Sequence, residues 1–139
     1  MGPASKRTVL VVDDDAAVRM LCRIHLEEAG FRVVEASDGD KALETIRADR
    51  PDVVLLDIMM PRVSGWQVAR AVKQIAPRVP VFLVTGFGIE LSPEERRAHG
   101  VDVILVKPLQ IQEILDALAE AARKAPPAPA EDNRWPFSI

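Results

Sequence analysis

The chain has 139 residues, 48% of them hydrophobic, which is the size of one domain with enough apolar side chain to bury a core. A formal net charge of −3 argues against a nucleic-acid surface. The single cysteine, Cys22, excludes an internal disulfide and suits a reducing compartment; no apolar run approaches membrane-spanning length and no signal-peptide or myristoylation pattern opens the chain, so the expected location is the cytoplasm.

Residues 1–7 are polar and are read as a loose segment ahead of a domain over 8–124. The first apolar run, Val9-Leu10-Val11-Val12, ends in Asp13-Asp14-Asp15. Asp15 is placed to cap a helix carrying Val18, Leu21, Cys22, His25 and Ala29 at helical spacing until Gly30 stops it. His25, on or beside that stripe, reads as a packed or partly exposed histidine rather than a ligand, and Cys22 as a small core residue. Residues 31–36 are more polar, as an edge strand with one solvated side would be. A second helix follows from Ser37-Asp38-Gly39 through Ala42, Leu43 and Ile46 and closes before Pro51.

Val53-Val54-Leu55-Leu56 then ends abruptly in Asp57, and Pro61 forbids the strand from continuing. A carboxylate at the tip of a buried strand is costly unless it is paired, metal-bound or used. Ser64-Gly65 opens a third helix, with Trp66 as an anchor and Val68, Val72 and Ile75 at packing intervals. Residues 79–84 form a fourth apolar run that ends in Thr85-Gly86. Ser92-Pro93-Glu94-Glu95 carries a cap, a first-turn proline and a capping-box glutamate; its helix is short and polar, the least firmly packed of the set, with His99 complementing the dipole before Gly100. Val103-Ile104-Leu105-Val106 runs into Lys107-Pro108, and Ile111, Ile114, Leu115, Leu118 and Ala122 define a fifth helix, with Gln110 a poor cap. From Ala125 the composition turns proline-rich and ends in Trp135-Pro136-Phe137-Ser138-Ile139. It reads as an extended tail over 125–139, or else as a docking motif built on Trp135 and Phe137.

Strands written as continuous apolar runs and alternating with helices imply a parallel sheet whose strand carboxyl ends share one edge. Asp13, Asp14, Asp57, Thr85 and Lys107 should therefore meet there. Taken singly, each has an ordinary explanation as a cap, a turn residue or a surface charge. Taken together, at four strand ends, they point to a site.

The acidic pair after the first strand, Asp57 in Leu-Asp-Ile-Met-Met-Pro followed by Gly65, Thr85-Gly86 and Lys107-Pro108 resemble the receiver domain of bacterial two-component response regulators, over roughly residues 8–123. The resemblance implies a flavodoxin-like, doubly wound α/β fold: a five-stranded parallel sheet of order 2-1-3-4-5 with five helices. It implies that Asp57 accepts a phosphoryl group from the phosphohistidine of a histidine kinase or histidine phosphotransfer protein. Asp13, Asp14, Asp57 and the Met59 carbonyl would hold Mg2+, since a cluster of oxygen donors without Cys or His pairs suits magnesium better than zinc. Lys107 and Thr85 would contact the phosphoryl oxygens, Gly86 would leave space, and Pro108 would be a cis peptide that aims Lys107 inward. A downstream protein would read a switch at Thr85 and at Ile104, a position where the family often carries an aromatic. Met59 and Phe87, apolar and two beyond Asp57 and Thr85, cannot activate water, which implies slow dephosphorylation.

Three other readings compete. A haloacid-dehalogenase-type phosphatase wants a second aspartate where Met59 stands, and a flavin module wants a Ser/Thr/Gly-rich loop where this chain is acidic. The third is a pseudo-receiver used only as a scaffold. The expected role is a signalling domain rather than an enzyme, without membrane or direct nucleic-acid partners.

Overall fold

The computed structural model describes residues 7–86 and 90–124. Residues 1–6, Phe87 and the tail from residue 125 lie outside the described residues. Ten elements alternate in chain order: β1 (Thr8–Val12), α1 (Ala16–Glu28), β2 (Arg32–Ala36), α2 (Gly39–Ala48), β3 (Val53–Asp57), α3 (Gly65–Ile75), β4 (Val81–Thr85), α4 (Pro93–His99), β5 (Val103–Val106) and α5 (Ile111–Lys124). The strands form one parallel sheet in the order β2-β1-β3-β4-β5, as the resemblance implied.

Alternate side chains of each strand feed two apolar layers. Leu10, Val12, Val54, Leu56 and Leu83 pack with Ala42, Ile46, Val68 and Val72 of α2 and α3. Val9, Val11, Leu55, Phe82 and Val84 pack with Cys22 and Leu26 of α1 and with Ile114 and Leu118 of α5. Every residue of β3 and β4 is buried, which is why those strands read as unbroken apolar runs.

The helix starts follow their capping residues. Asp15 accepts from Ala17 N, Asp38 accepts from Lys41 N, and both Ser64 and Ser92 complete capping boxes, with Gln67 and Glu95 respectively. Gly100 ends α4 in the left-handed region at φ 75°. Helix α4 has no buried residue, in keeping with its polar sequence. His99, expected to act on the helix dipole, also packs its ring against Trp66 with centroids 4.8 Å apart.

Three expectations are corrected. The buried side of α1 is Cys22 and Leu26 with Val18 beside them, whereas Leu21 is 57% exposed and Ala29 faces solvent; His25, read as packed or partly exposed, is exposed. Strand β4 begins at Val81 rather than at residue 79, because Pro80 precedes it, and it includes Thr85. Strand β5, written as a fully apolar run, is the outer strand and only partly covered.

The amino ends of two strands are tied to their neighbours in the same way. Asp52, just ahead of β3, donates its backbone N–H to Thr8 O at 2.9 Å and accepts Thr8 N on Oδ2 at 2.7 Å. Asp102, just ahead of β5, donates to Val81 O at 2.9 Å and accepts Val81 N on Oδ2 at 2.7 Å, with Lys73 Nζ on the same oxygen at 2.7 Å.

At the opposite edge, α3 starts directly against the end of β3. Gly65 N donates to Ile58 O at 3.0 Å, and a Cβ at Gly65 would lie 2.6 Å from Ile58 Cα and 2.7 Å from Asp57 O. Both neighbours are backbone atoms that no rotamer change can move. Gly65→Ala is therefore expected to destabilise the fold by about 1–3 kcal/mol, checked by urea unfolding; an unchanged midpoint would show that α3 can step back freely.

Candidate functional site

Parallel pairing brings the carboxyl ends of β1, β3, β4 and β5 to one edge. Val12 lies opposite Leu56, Asp57 opposite Val84, and Thr85 opposite Val106, so the residues that follow are neighbours. Asp13, Asp57 and Thr85 are buried at this edge, while Asp14 is exposed. Asp13, Asp14 and Asp57 each present a carboxylate oxygen within 4.8 Å of the others. Lys107 Nζ lies 3.3 Å from Asp57 Oδ2 and 3.4 Å from Asp13 Oδ2. Two of these three clustered carboxylates thus meet the Lys107 ammonium.

Local backbone bonds aim each group. Asp13 Oδ1 accepts from Asp15 N at 2.9 Å, which turns the chain from β1 into α1. Asp57 Oδ1 accepts from Met59 N at 3.1 Å, leaving Oδ2 toward Lys107. Lys107 N donates to Thr85 O at 2.8 Å, joining the ends of β4 and β5, and the Lys107–Pro108 bond is cis, as expected.

Burial pushes the Asp13 carboxyl up from its ordinary value; the Asp15 N–H opposes this, the Asp57 charge adds to it and Lys107 opposes it, for a net rise. Burial pulls Lys107 down, but the charges of Asp13 and Asp57 outweigh it and hold the ammonium above its ordinary range.

Among the other expected positions, Gly86 and Pro108 are exposed beside Lys107, and the Met59 side chain is 65% exposed. Ile104 pairs with Leu83, two residues inward from the edge, and packs on the α2–α3 side of the core. Two participants were not read from the sequence. Arg19 Nη1 donates to Asp13 O at 2.6 Å and its Nε to Glu35 on β2 at 3.0 Å. A guanidinium one helical turn past the Asp15 cap was the only signal for it. A cleft of about 480 Å³ beside the site is lined mainly by apolar groups, among them Val18, Leu21 and Cys22 of α1, Leu109, and Ile114 of α5, with Lys107 also in its wall. Burial pushes the Cys22 thiol in its wall up to about 11.

The family model of the response regulator receiver domain matches residues 9–119. The chain belongs to the response regulator receiver family. Curated relatives of this receiver include the response regulator MprA of Mycolicibacterium vanbaalenii, 39% identical over 122 residues, covering 86% of this chain and 52% of that protein. MprA of Mycobacterium tuberculosis is 38% identical over 128 residues, covering 90% and 54% respectively. The receiver spans about half the length of these relatives. Among solved structures, the chemotaxis protein CheY4 of Vibrio cholerae superposes with a TM-score of 0.75 at 32% identity, over 84% of this chain and 99% of that one. The response regulator TrrA of Thermotoga maritima, solved in complex with Mg2+ and BeF, gives 0.74 at 28% identity, over 83% and 98%. The receiver is a phosphoacceptor module of two-component signalling.

The receiver's acidic cluster is all oxygen, without Cys or His in the group, and is short of positive charge, a donor set that fits a hard divalent cation. Within the cluster, the charged form of Asp13 opposes folding. A carboxyl raised in the native state favours folding less once ionised, so the contribution of Asp13 to stability falls as pH rises from about 3.8 through its raised value. In EDTA at neutral pH, Asp13→Asn is expected to raise the thermal midpoint by roughly 2–5 °C and to abolish stabilisation by added Mg2+. A lower midpoint would show that Asp13 is net stabilising as an anion.

Proposed function

We propose that Asp57 is the phosphoacceptor, that Asp13, Asp14 and Asp57 with the Met59 carbonyl hold Mg2+, and that Lys107 and Thr85 receive the phosphoryl oxygens. The observation that carries this reading is the buried Asp57 carboxylate, 3.3 Å from an ammonium and within 4.8 Å of two further carboxylates. In transfer, an Asp57 oxygen forms a bond to phosphorus as the bond between phosphorus and the donor's histidine nitrogen breaks, and the electron pair leaves with the imidazole. The protein supplies little covalent chemistry beyond this; its part is alignment and charge.

The Met59 N–H on Oδ1 fixes the rotation of the Asp57 carboxylate, and Lys107 meets the negative charge that arrives on the phosphoryl group. Asp13, Asp14 and Asp57 would hold magnesium, which when bound would supply further positive charge at this edge. Thr85, fully buried at the end of β4, offers its hydroxyl to a phosphoryl oxygen, and Gly86 leaves room beside it. A gain of about −2 in charge at this edge favours whichever arrangement of Thr85 and β5 contacts it, so the face of α4, β5 and α5 is the output surface, with Ile104 as its inward member. The role is that of a signalling domain acting on itself, in the cytoplasm.

The donor is a histidine kinase or histidine phosphotransfer protein, and it docks on α1. Met20, Leu21 and Ile24 are 60%, 57% and 44% exposed there, beside the apolar cleft that leads to Lys107. An exposed apolar face next to the reacting carboxylate suits a protein donor whose histidine must come within bonding distance.

Intact mass after incubation with a small acyl-phosphate donor tests the chemistry. One phosphoryl group is expected, dependent on Mg2+ and absent in Asp57→Asn; no modification under any condition would leave the scaffold reading standing. The adduct should decay slowly, and Met59→Asn, which offers an amide to a water, should hasten decay several-fold. Leu21→Asp combined with Ile24→Asp is expected to slow transfer from a phosphohistidine protein by about 10-fold while leaving the small-donor reaction intact. Equal slowing of both reactions would remove the docking assignment.

A further inference from the structure

The Asp13 backbone is gripped from two sides. Its N–H donates to Ala36 O on β2 at 3.2 Å, and its carbonyl accepts Arg19 Nη1 at 2.6 Å. That carbonyl belongs to the peptide joining Asp13 to Asp14, and a peptide is planar. One bond to the oxygen therefore orients the plane from which both side chains leave: the buried Asp13 and the exposed Asp14. The cation site read above depends on where those two carboxylates point.

Arg19 is itself well held. Its side chain is 16% exposed, and its Nε donates to Glu35 Oε1 at 3.0 Å. The other Glu35 oxygen takes Arg23 Nε at 2.7 Å, and Arg23 Nη1 reaches Glu27 at 3.3 Å. Hydrogen bonds first from Arg23 and then from Arg19 hold the Glu35 carboxyl below its ordinary range. Glu35 sits opposite Val11 in the β1–β2 pairing, two residues before Asp13, so it anchors Arg19 to the strand that carries the acidic loop. A guanidinium near a cation site would repel the cation if its charge were free; here a carboxylate balances it. The planar fork also matters, because Nε and Nη1 address two acceptors at once, which a single ammonium nitrogen cannot do with the same geometry.

We propose that Arg19 is a positioning residue for the divalent-cation site, fixing the Asp13–Asp14 peptide through its carbonyl while Glu35 fixes Arg19. The inference rests on the assignment of Asp13, Asp14 and Asp57 as cation ligands. Arg23 provides an internal control, because it shares Glu35 but does not touch the acidic loop.

The test is Mn2+ binding followed by electron paramagnetic resonance, with unfolding midpoints in EDTA measured in parallel. The proteins are wild type, Arg19→Ala, Arg19→Lys, Glu35→Gln and Arg23→Ala. Arg19→Ala and Arg19→Lys are expected to weaken Mn2+ binding by about 10-fold, as loss of a group that orients metal ligands does, and Glu35→Gln to weaken it less. Arg23→Ala should bind within about twofold of wild type, even where its EDTA midpoint drops as far as that of Arg19→Ala. If Arg19→Ala does not fold, Arg19→Lys carries the comparison. Wild-type binding matched by both Arg19 variants, or an equal loss in Arg23→Ala, overturns the positioning role alone. Absence of Mn2+ binding by wild type overturns the cation site and the inference together.

Discussion

Lys107 holds together an edge that electrostatics would otherwise push apart. Its ammonium lies 3.3 and 3.4 Å from two buried carboxylates, and a third acidic group stands within reach of both. Parallel pairing forces this meeting, because every strand must end on the same side and each apolar run here ends in a polar side chain. The domain is therefore built around a place where its own charges are poorly balanced. Such an arrangement is unfavourable for stability and fits the proposed binding of a cation and a phosphoryl group, a common trade in functional sites.

The two layers that flank the sheet divide the remaining work. On one side, α2 and α3 bury their apolar stripes against β1, β3 and β4, and Gly65 lets α3 press on the end of β3. On the other, α1 and α5 bury only part of their apolar surface and leave a cleft between them next to Lys107. The acidic loop is fastened to α1 through Arg19 and to β2 through Ala36 O. The helix with the exposed apolar face is thus the helix that steadies the acidic loop.

The order and type of elements were legible because β3 and β4 are uniformly apolar, the helices are periodic, and Asp15, Ser64 and Ser92 announce their starts. The residues that gather at the sheet edge were legible for the same reason, as the polar ends of apolar runs. The face of α1 was not. That helix carries Met20, Leu21 and Ile24 besides its buried Cys22 and Leu26, more apolar residues than one stripe holds, so spacing alone picked Leu21 wrongly. Arg19 and Glu35 escaped notice because their meaning lies in a contact 16 positions apart in sequence, between a helix and an edge strand. Asp52 and Asp102 escaped for the same reason, since their partners are 44 and 21 positions away.

Those two aspartates answer a question of alignment that the apolar pattern leaves open. Where one face of a strand is solvated, sliding it by one residue exposes its apolar set and is strongly disfavoured. Strand β3 has valine and leucine on both faces, so a slid β3 would bury nearly the same surface. A slide would, however, separate Asp52 from Thr8, and the corresponding slide of β5 would separate Asp102 from Val81. Asp52 is buried, and a buried carboxylate that loses a donor costs about 1–3 kcal/mol; Asp102 is exposed and also held by Lys73, so its slide costs less, while the N–H groups of Thr8 and Val81 would lose these acceptors. Strand alignment in the most uniform part of the sheet is therefore set by polar residues just outside the strands. The side chains of Asp13 and Asp57 at the carboxyl edge bond instead within their own loops, to Asp15 N and Met59 N, and set no strand alignment through those bonds.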